Sequence, residues 1–354
     1  MWERWMRRAL QLAALADGHT SPNPMVGAVV LDASGALVGE GYHAQAGQPH
    51  AEVGALDQAG QAARGGTLIV TLEPCCHHGR TPPCTEAVLK AGIQRVVVGL
   101  EDPDPRVGGN GISLLRAHGV EVLQGVLRAE AMEQNRAFLH RVHSGRPWGV
   151  LKWAMSLDGR TALPNGKSQW ISGPIARRWV HDLRAGCDAV IIGAGTLRSD
   201  DPLLTSRGRR QPEPLRVVLS RSLDLPSSAQ LWDTRSAATL VAHGPDGFSR
   251  SLPAGPERLA LPHCDPKHLM EALAARGCNR VLWECGPELS AAATRQGCVQ
   301  EIAAVIAPKL LGGTAAQTPL ADLGFTAMDQ IKPLPSMRMS QLDRDLLIQG
   351  RSDG

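Results

Sequence analysis

A histidine and a glutamate stand two positions apart in the stretch PHAEVGAL, as His50 and Glu52, where an apolar helical pattern begins. Two cysteines, Cys75 and Cys84, lie at the two ends of the stretch CCHHGRTPPC, just after the apolar run TLIVTLE. Thiolate and imidazole groups are preferred zinc ligands, and a catalytic zinc site uses three protein ligands and keeps the fourth position open. We therefore predict that His50, Cys75 and Cys84 bind one zinc ion.

Glu52 is then left for acid and base chemistry. Zinc deaminases of nucleobases combine a His-x-Glu with a Pro-Cys-x-x-Cys, and the glutamate moves protons without binding the metal. This chain has eight residues between Cys75 and Cys84 rather than two, so CHHGRTPP would form a rigid loop at the mouth of the site. Because residues two apart do not share a helix face, His50 must lie where the helix starts and Glu52 in its first turn.

Two other interpretations stay open at this point. A lone His-x-Glu at a helix start is most often a polar cap with an acid that suits the helix dipole. A structural zinc would need a fourth protein ligand, which Cys76, His77 or His78 could provide. Because Cys76 adjoins Cys75, its side chain points elsewhere in an extended chain, and we predict that it is not a ligand.

The first half of the chain alternates strand-like and helix-like segments, which is typical of an α/β fold. Short β-branched runs bounded by Gly, Asp or Pro predict strands at 27–32, 67–73, 95–102 and 120–126. Helical patterns lie at 51–63, 84–91 and 111–117, each followed by a glycine that can act as a cap, and a further helix is predicted at 129–141.

Strand signals restart after the stretch HSGRPW, whose Ser, Gly and Pro are typical of a linker. They are the runs GVLKWAMSLDG, CDAVIIGAGT, PLRVVLS, AATLVAH, RVLWECG and EIAAVIAPKLL, with a helix predicted at 175–185. A chain of 354 residues exceeds what one core usually serves. We therefore predict two α/β domains, at 1–145 and 146–354.

Composition argues against several classes of protein. The 37 basic and 34 acidic residues are interspersed and only 3% of residues are aromatic, so a nucleic-acid platform is not indicated. The first sixteen residues resemble an amphipathic helix of the mature fold rather than a signal peptide. No run approaches the roughly 18 apolar residues of a membrane span. We expect a cytoplasmic protein without membrane or nucleic-acid partners; the oligomeric state, a homo-oligomer included, stays open.

The sequence resembles the bifunctional deaminase/reductase family of riboflavin biosynthesis. In the first half the resemblance rests on HTSPNPMVGAVV, GYH, PHAEV, TLEPCCHHGRTPPC and EDPDPRVGGNG. In the second half it rests on KWAMSLDGRTAL, SQWISGP, LRAGCDAVIIGAGTLRSDDPLLTSR, WECGPEL and IAPKLLGG. The long loop CHHGRTPPC is the most specific of these stretches.

The resemblance implies an N-terminal cytidine-deaminase-like α/β domain and a C-terminal dihydrofolate-reductase-like α/β domain. The first would remove an amino group from 2,5-diamino-6-(5-phosphoribosylamino)pyrimidin-4(3H)-one, with His50, Cys75 and Cys84 as zinc ligands and Glu52 as the catalytic proton carrier. The second would reduce the ribose of 5-amino-6-(5-phosphoribosylamino)uracil with NADPH. The partner is thus a small-molecule substrate, and a preference for NADPH over NADH is implied by the family alone.

The family also implies roles for residues of both domains. Substrate contacts would come from Asn23, Ser168, Arg184, Leu204, Arg207 and Glu284. The two arginines among them would bind the phosphate, which suits guanidinium groups. Cofactor contacts would come from Ala154, Trp170, Thr196, Asp200, Gly286, Pro287, Glu288, Leu289, Ser290, Ala291 and Ala292. Without the motifs, Asn23 would be interpreted as an Asx turn before Pro24, and Ala154 and Trp170 as packing residues.

Three features limit or shape the interpretation of the second half. GAGTLR begins like a dinucleotide fingerprint but has Arg198 where the third glycine belongs, so we reject that interpretation. Gly286 follows the strand RVLWE at a helix start, where backbone N–H groups can bind a phosphate. The family's Asp-Ser-Arg is replaced by Ser220, Arg221 and Ser222, and Cys285 stands where Gly or Ala is frequent.

Two alternative functions remain at this stage. One is a deaminase that acts on a base in nucleic acid, although the first half shows no clear basic stripe with stacking aromatics. The other is a zinc-stabilised binding module without catalysis, which would release no ammonia and oxidise no NADPH.

Overall fold

The chain forms two compact units, each built on its own sheet. The computed structural model describes residues 2–78, 82–104, 108–247, 251–331 and 333–352. The units are Met1–Ser144 and Gly145–Gly354. Both combine a mixed sheet with helices, so the predicted two-domain α/β architecture is confirmed.

The N-terminal unit contains a five-stranded sheet of order β2-β1-β3-β4-β5. Strand β1 runs antiparallel to both its neighbours, and β3, β4 and β5 run parallel. The strands are β1 (Gly27–Leu31), β2 (Leu37–Tyr42), β3 (Thr67–Leu72), β4 (Arg95–Leu100) and β5 (Glu121–Gln124). The helices are α1 (Trp2–Ala14), α2 (Ala51–Ala59), α3 (Cys84–Ala91), α4 (Asn110–Ala117), α5 (Arg128–Gln134) and α6 (Arg136–Ser144), with a 3₁₀ turn at Gly60–Ala63.

Both faces of this sheet are covered. Successive side chains of a strand point to opposite faces, and all of β1 is buried. Ala28 and Val30 join the apolar cluster formed with α2, α3 and α4. Val29 and Leu31 join a second cluster with residues of α1. Burial on both faces is why the central strands appear in the sequence as continuous apolar runs.

The sequence did not predict β2, because glycine lowers strand propensity and the run LVGEGY contains two. The packing of β2 explains why glycine occupies these two positions. A Cβ on Gly39 would lie 2.1 Å from the carbonyl oxygen of Ala55, and one on Gly41 would lie 2.4 Å from that of Ala51. Glycine thus lets β2 pack directly on the backbone of α2, the helix that carries Glu52 in its first turn.

The single helix predicted at 129–141 is wrong, since the structure has two helices that meet at Asn135. The Asn135 side chain is 2% exposed. Its Oδ1 accepts from the Met25 N–H at 2.8 Å and its Nδ2 donates to the Met25 carbonyl oxygen at 2.9 Å. This contact between residues far apart in the chain accompanies the break and is not visible in the local pattern.

The C-terminal unit contains a nine-stranded sheet of order β10-β9-β8-β7-β11-β6-β12-β14-β13. The pairs from β10 to β12 are parallel, and the last two pairs are antiparallel. The strands are β6 (Trp148–Ser156), β7 (Ala189–Gly193), β8 (Leu215–Ser220), β9 (Thr239–His243), β10 (Glu257–Ala260), β11 (Arg280–Trp283), β12 (Glu301–Ala307), β13 (Ser336–Leu342) and β14 (Asp345–Arg351). The helices are α7 (Pro174–Ala185), α8 (Ala194–Asp200), α9 (Pro266–Ala275) and α10 (Pro287–Arg295), with 3₁₀ turns at Gln230–Trp232, Pro245–Gly247 and Met328–Gln330.

The central strands of this sheet, β6, β7, β8, β9, β11 and β12, occur where the apolar runs predicted them. Their side chains form two apolar clusters, one on each side of the sheet. The outer strands β10 and β13 were not predicted, since their sequences ERLA and SMRMSQL are largely exposed and lack an apolar run. In the described residues, no helix has the length and apolar character needed to cross a bilayer.

The contact between β2 and α2 can be tested with two glycines that face each other. We expect Gly41→Ala to lower the free energy of unfolding by about 1–3 kcal/mol, because its Cβ would meet backbone atoms. A Cβ on Gly54, within α2, meets only the Gly41 Cα at 3.9 Å. Gly54→Ala should therefore be neutral, or stabilise by up to about 1 kcal/mol through its helix propensity.

Differential scanning calorimetry of the full-length variants measures both changes as shifts in the unfolding midpoint. Equal destabilisation by the two substitutions would contradict the close backbone packing.

Candidate active sites

The first cluster of reactive side chains lies where the starts of two helices meet the end of one strand. His50 is the N-cap residue of α2, Cys84 is the first residue of α3, and Cys75 follows the end of β3. Their ligand atoms all lie within 4.8 Å of one another. The His50 Nδ1 is 3.1 Å from the Cys84 Sγ and 3.6 Å from the Cys75 Sγ. Two sulfurs and one imidazole nitrogen are a donor set that fits zinc.

Cys75 is the sulfur best prepared to be a thiolate. Hydrogen bonding by the Cys84 side chain, with a smaller contribution from His50, lowers the pKa of Cys75 to about 4. The Cys84 backbone N–H also donates to the Cys75 Sγ at 3.3 Å. The same thiol-to-thiolate contact, together with burial, raises the pKa of Cys84. A divalent cation at this position would bind both sulfurs as thiolates, because metal binding to cysteine requires loss of the thiol proton.

Glu52 lies beside this cluster in the first turn of α2, and His50 precedes the helix, as the spacing predicted. The Glu52 side chain is buried, and burial raises its pKa to about 7. A hydrogen bond with the Cys84 side chain and the nearby His50 act in the opposite direction. A carboxyl group that titrates near neutral pH can both accept and donate a proton.

Glu73, to which the sequence analysis gave no role, anchors the chain just before Cys75. Its buried carboxylate accepts hydrogen bonds from the backbone N–H groups of Asp102, Gly109 and Ile112, at 3.2, 2.9 and 3.1 Å. These bonds tie the segment after β4 and the start of α4 to the end of β3. The signal in the sequence was an acid at the end of the apolar run TLIVTLE.

Asn23, the predicted substrate contact of this domain, connects to the cluster through His43. The Asn23 Nδ2 lies 3.0 Å from the His43 Nε2, and the His43 Nδ1 lies 3.1 Å from the carbonyl oxygen of Pro49. The His43 ring packs edge-on to the His50 ring, with centroids 5.4 Å apart. Burial lowers the pKa of His43. The sequence analysis quoted GYH without giving this histidine a role.

Parts of two motifs fall outside the described residues: 79–81 in the long cysteine loop and 105–107 in EDPDPRVGGNG. The prediction of a rigid loop at the mouth of the site concerns this first segment and stays a prediction.

A second cluster lies at the carboxyl edge of the parallel strands in the C-terminal unit. Trp283 of β11 pairs with Ile191 of β7 and with Leu151 of β6. Residues after these three positions therefore share one edge, which is where α/β sheets bind their ligands. The helices α8 and α10 start at this edge, directly after β7 and shortly after β11.

Arg184 and Glu284, predicted as separate substrate contacts, form one ion pair. Arg184 Nε and Nη2 donate to the Glu284 carboxylate at 2.6 and 3.0 Å, and Nη1 donates to the Thr205 carbonyl oxygen at 3.1 Å. The Lys152 Nζ is 3.8 Å from the same carboxylate. Burial would raise the pKa of Glu284, but the charges of Arg184 and Lys152 prevail and hold it at about 2.

Lys152 was missed by the sequence analysis. The signal was a lysine inside the apolar strand GVLKWAMS, since lysine is rarely buried without a partner. Its side chain is 15% exposed, and burial lowers its pKa.

The starts of α8 and α10 lie next to each other. A Cβ on Gly286 would lie 3.9 Å from the Thr196 Oγ1, and one on Gly193 would lie 3.2 Å from the Leu289 Cδ2. Gly286 is the N-cap residue of α10. The structure thus brings together Thr196 and the run 286–292, which the sequence analysis assigned to the cofactor from two separate motifs.

Trp170 is a large apolar side chain that remains 63% exposed. The Arg177 guanidinium lies 4.5 Å from the centroid of its ring, and the Lys309 Nζ donates to its carbonyl oxygen at 2.8 Å. A guanidinium over the ring and an ammonium on the backbone hold this residue in place.

The remaining predicted residues differ in what they can offer a ligand. Leu204 is 2% exposed and packs in the core, so only its backbone is available. The Arg207 side chain is exposed and pairs with none of the described carboxylates. Asp200, at the end of α8, is exposed, whereas Ala154 on β6 and Ser168 in the loop after it are half-buried.

The three residues that replace the family's Asp-Ser-Arg lie at the end of β8 and in the turn after it. The Ser220 Oγ accepts a hydrogen bond from the Leu223 N–H at 3.1 Å, and the residue is buried. Arg221 and Ser222 are exposed. Ser220 thus stabilises its own turn, and a cofactor contact in this segment would have to come from its two successors.

Two family models match the chain, one in each unit. The cytidine and deoxycytidylate deaminase zinc-binding region matches residues 2–100, and the RibD C-terminal domain matches residues 147–348.

Full-length relatives extend these matches. The riboflavin biosynthesis protein RibD of Synechocystis sp. is 49% identical over 349 residues, which are 98% of this chain and 95% of the relative. The structure of Acinetobacter baumannii RibD covers 100% of this chain and 99% of its own, with a TM-score of 0.90 and 37% identity. A Thermotoga maritima structure, described as a diaminohydroxyphosphoribosylaminopyrimidine deaminase/5-amino-6-(5-phosphoribosylamino)uracil reductase, covers 99% and 98%, with a TM-score of 0.89 and 34% identity. The chain therefore belongs to the RibD family: it is a bifunctional enzyme of riboflavin biosynthesis, with a cytidine-deaminase-like domain followed by a dihydrofolate-reductase-like domain.

Proposed function

We propose that the two domains, 1–145 and 146–354, catalyse successive steps on one substrate. The first deaminates 2,5-diamino-6-(5-phosphoribosylamino)pyrimidin-4(3H)-one to 5-amino-6-(5-phosphoribosylamino)uracil. The second reduces the ribose of that product to a ribityl chain with NADPH. The observation that carries the proposal is the convergence of His50, Cys75 and Cys84 beside the buried carboxyl group of Glu52. A relative of similar length, whose structure is described as a deaminase and a reductase, supports the second step.

One zinc ion per chain, held by His50, Cys75 and Cys84, fits the donor atoms that meet at the first site. Two thiolates balance its charge, and three protein ligands leave the fourth position for water. When bound, the metal supplies the acidity that makes water a nucleophile near neutral pH. Cys76 is not part of the converging group, in keeping with its prediction as a non-ligand.

Glu52 is proposed to carry the protons of deamination. Its carboxylate accepts a proton from the attacking water and donates it to the ring nitrogen. It then accepts the second proton, from the hydroxyl group now on the ring carbon, and donates it to the departing ammonia. The net reaction replaces a C–NH₂ group by a carbonyl group with loss of ammonia.

In the second domain, the exposed side chain of Arg207 is proposed to bind the substrate phosphate. Arg184 is proposed to contact the substrate while it orients Glu284, since Glu284 and the Thr205 carbonyl oxygen already engage its donors. The N–H groups at Gly286, next to Thr196, suit a phosphate of NADPH. A cytoplasmic location and self-association of the chain stay predictions.

The two activities can be followed together by supplying the diaminopyrimidine substrate and NADPH to the purified, zinc-loaded protein. We expect one ammonia released and one NADPH oxidised per substrate, with little oxidation when NADH replaces NADPH. Ammonia without loss of NADPH would overturn the reductase half, and preference for NADH would overturn the cofactor assignment. Absence of both products would favour a non-catalytic module instead.

Glu52→Gln should retain zinc and lower the rate of ammonia release by about 10²- to 10⁴-fold, because an amide cannot carry the proton. Zinc is measured by elemental analysis and ammonia by a coupled assay. NADPH oxidation with the deaminated intermediate as substrate serves as the control and should be unchanged. Full ammonia release from this variant would refute the role of Glu52.

His50→Ala should lose zinc and deamination together, because the site would keep two protein ligands. Cys76→Ser is the matched control, since Cys76 adjoins Cys75 in the chain and stands outside the converging group. We expect the control to retain both zinc and ammonia release. Loss of zinc from Cys76→Ser would show instead a fourth protein ligand and a structural metal.

A further inference from the structure

We propose that His43 is a positioning residue for deamination, which sets the direction in which the side-chain amide of Asn23 points. The inference rests on the proposed function, in which Asn23 contacts the pyrimidine substrate. His43 lies directly after β2 and is 2% exposed. Its backbone N–H donates to the Val26 carbonyl oxygen at 2.9 Å, so the main chain at this point is held as well.

The partners of the His43 ring determine which nitrogen carries the proton. The Nδ1 lies 3.1 Å from the carbonyl oxygen of Pro49. A carbonyl oxygen only accepts, so Nδ1 must donate. In the neutral ring the Nε2 then accepts, and its partner at 3.0 Å is the Asn23 Nδ2. Both ring nitrogens are therefore used within the protein, so neither is left to act on the substrate.

This hydrogen bond removes the ambiguity of the Asn23 amide. An asparagine side chain has two ends of similar size, one a donor and the other an acceptor. Because the NH₂ end faces His43, the amide is held in one of its two orientations, the one with Oδ1 on the branch away from His43. The Asn23 backbone N–H donates to the Thr20 carbonyl oxygen at 2.9 Å, which fixes the base of the side chain.

The same ring connects substrate binding with the metal ligands. Pro49, whose carbonyl oxygen accepts from His43, is the residue before His50. The His43 and His50 rings also pack edge to face. One buried imidazole therefore contacts both the Asn23 amide and the residue that precedes the predicted metal ligand.

A double-mutant cycle tests the coupling of the two side chains. His43→Leu should lower kcat/KM for ammonia release by about tenfold, as expected for a lost hydrogen bond. In the Asn23→Ala background the same substitution should cause little further loss. His43→Gln, whose amide keeps one donor and one acceptor, should retain most of the activity. Zinc content should equal that of the unsubstituted protein in all these variants.

His118→Leu is the matched control, because the exposed His118 also bonds a carbonyl oxygen through its ring, at 2.9 Å to Leu114. It should leave ammonia release unchanged. A full tenfold loss from His43→Leu in the Asn23→Ala background would overturn the proposal, since His43 would then act independently of Asn23. Loss of zinc from His43→Leu or His43→Gln would overturn it as well.

The tautomer can be measured without substrate, which separates this proposal from the proposed function. Two-bond ¹H–¹⁵N spectra of protein labelled at histidine should show His43 protonated at Nδ1, with the signal identified by its absence in His43→Gln. Protonation at Nε2 would overturn the proposal even if the enzyme deaminates as expected. Failure of the unsubstituted protein to release ammonia, with the Nδ1 tautomer present, would instead refute the proposed function alone. This measurement also applies if His43→Leu does not fold.

Discussion

The first active site depends on the meeting of two helix starts and one strand end within the span of a single metal ion. His50 at the start of α2 and Cys84 at the start of α3 place Nδ1 and Sγ 3.1 Å apart. Two sets of contacts with main-chain atoms hold these elements. Glycines 39 and 41 let α2 lie against β2 without intervening side chains, and the carboxylate of Glu73 ties the segment after β4 to the end of β3. The reactive groups are thus carried by elements held together through main-chain atoms.

The predicted sites of the two domains have similar positions in their folds and differ in their charges. In each, part of the predicted site lies where a strand of the parallel region ends and a helix begins: Cys75 and Cys84 in the first domain, and Thr196 and Gly286 in the second. The difference lies in the charges. The first site concentrates thiols, an imidazole and a buried carboxyl group, which suits a cation. The second pairs Glu284 with Arg184 and Lys152 and leaves Arg207 exposed, which suits an anionic substrate.

Local patterns predicted the elements that bury both faces and failed where a tertiary contact overrides them. Strands β3, β4 and β7 are continuous apolar runs, and α3 begins at Cys84 and ends at Ala91 as its pattern indicates. Strand β2 was missed because its glycines serve packing rather than strand propensity. The helix predicted at 129–141 is divided at Asn135, and the side chain of this residue bonds the backbone of Met25. Edge strands β10 and β13 lack the apolar signal because solvent covers much of them.

By itself the sequence determined the two-domain α/β class, the family, and the residue types and spacing of the proposed zinc and proton-carrying groups. It could do so because metal chemistry restricts ligand types and because motif spacing restricts where those ligands lie. Only the tertiary structure decided which side chains bond to one another. It joined Arg184 and Glu284 in one ion pair with Lys152 nearby, and it placed His43 between Asn23 and Pro49. Whether two side chains form a hydrogen bond depends on differences of a few tenths of an ångström in the distance between their polar atoms. For residues far apart in the chain, that distance is set by packing.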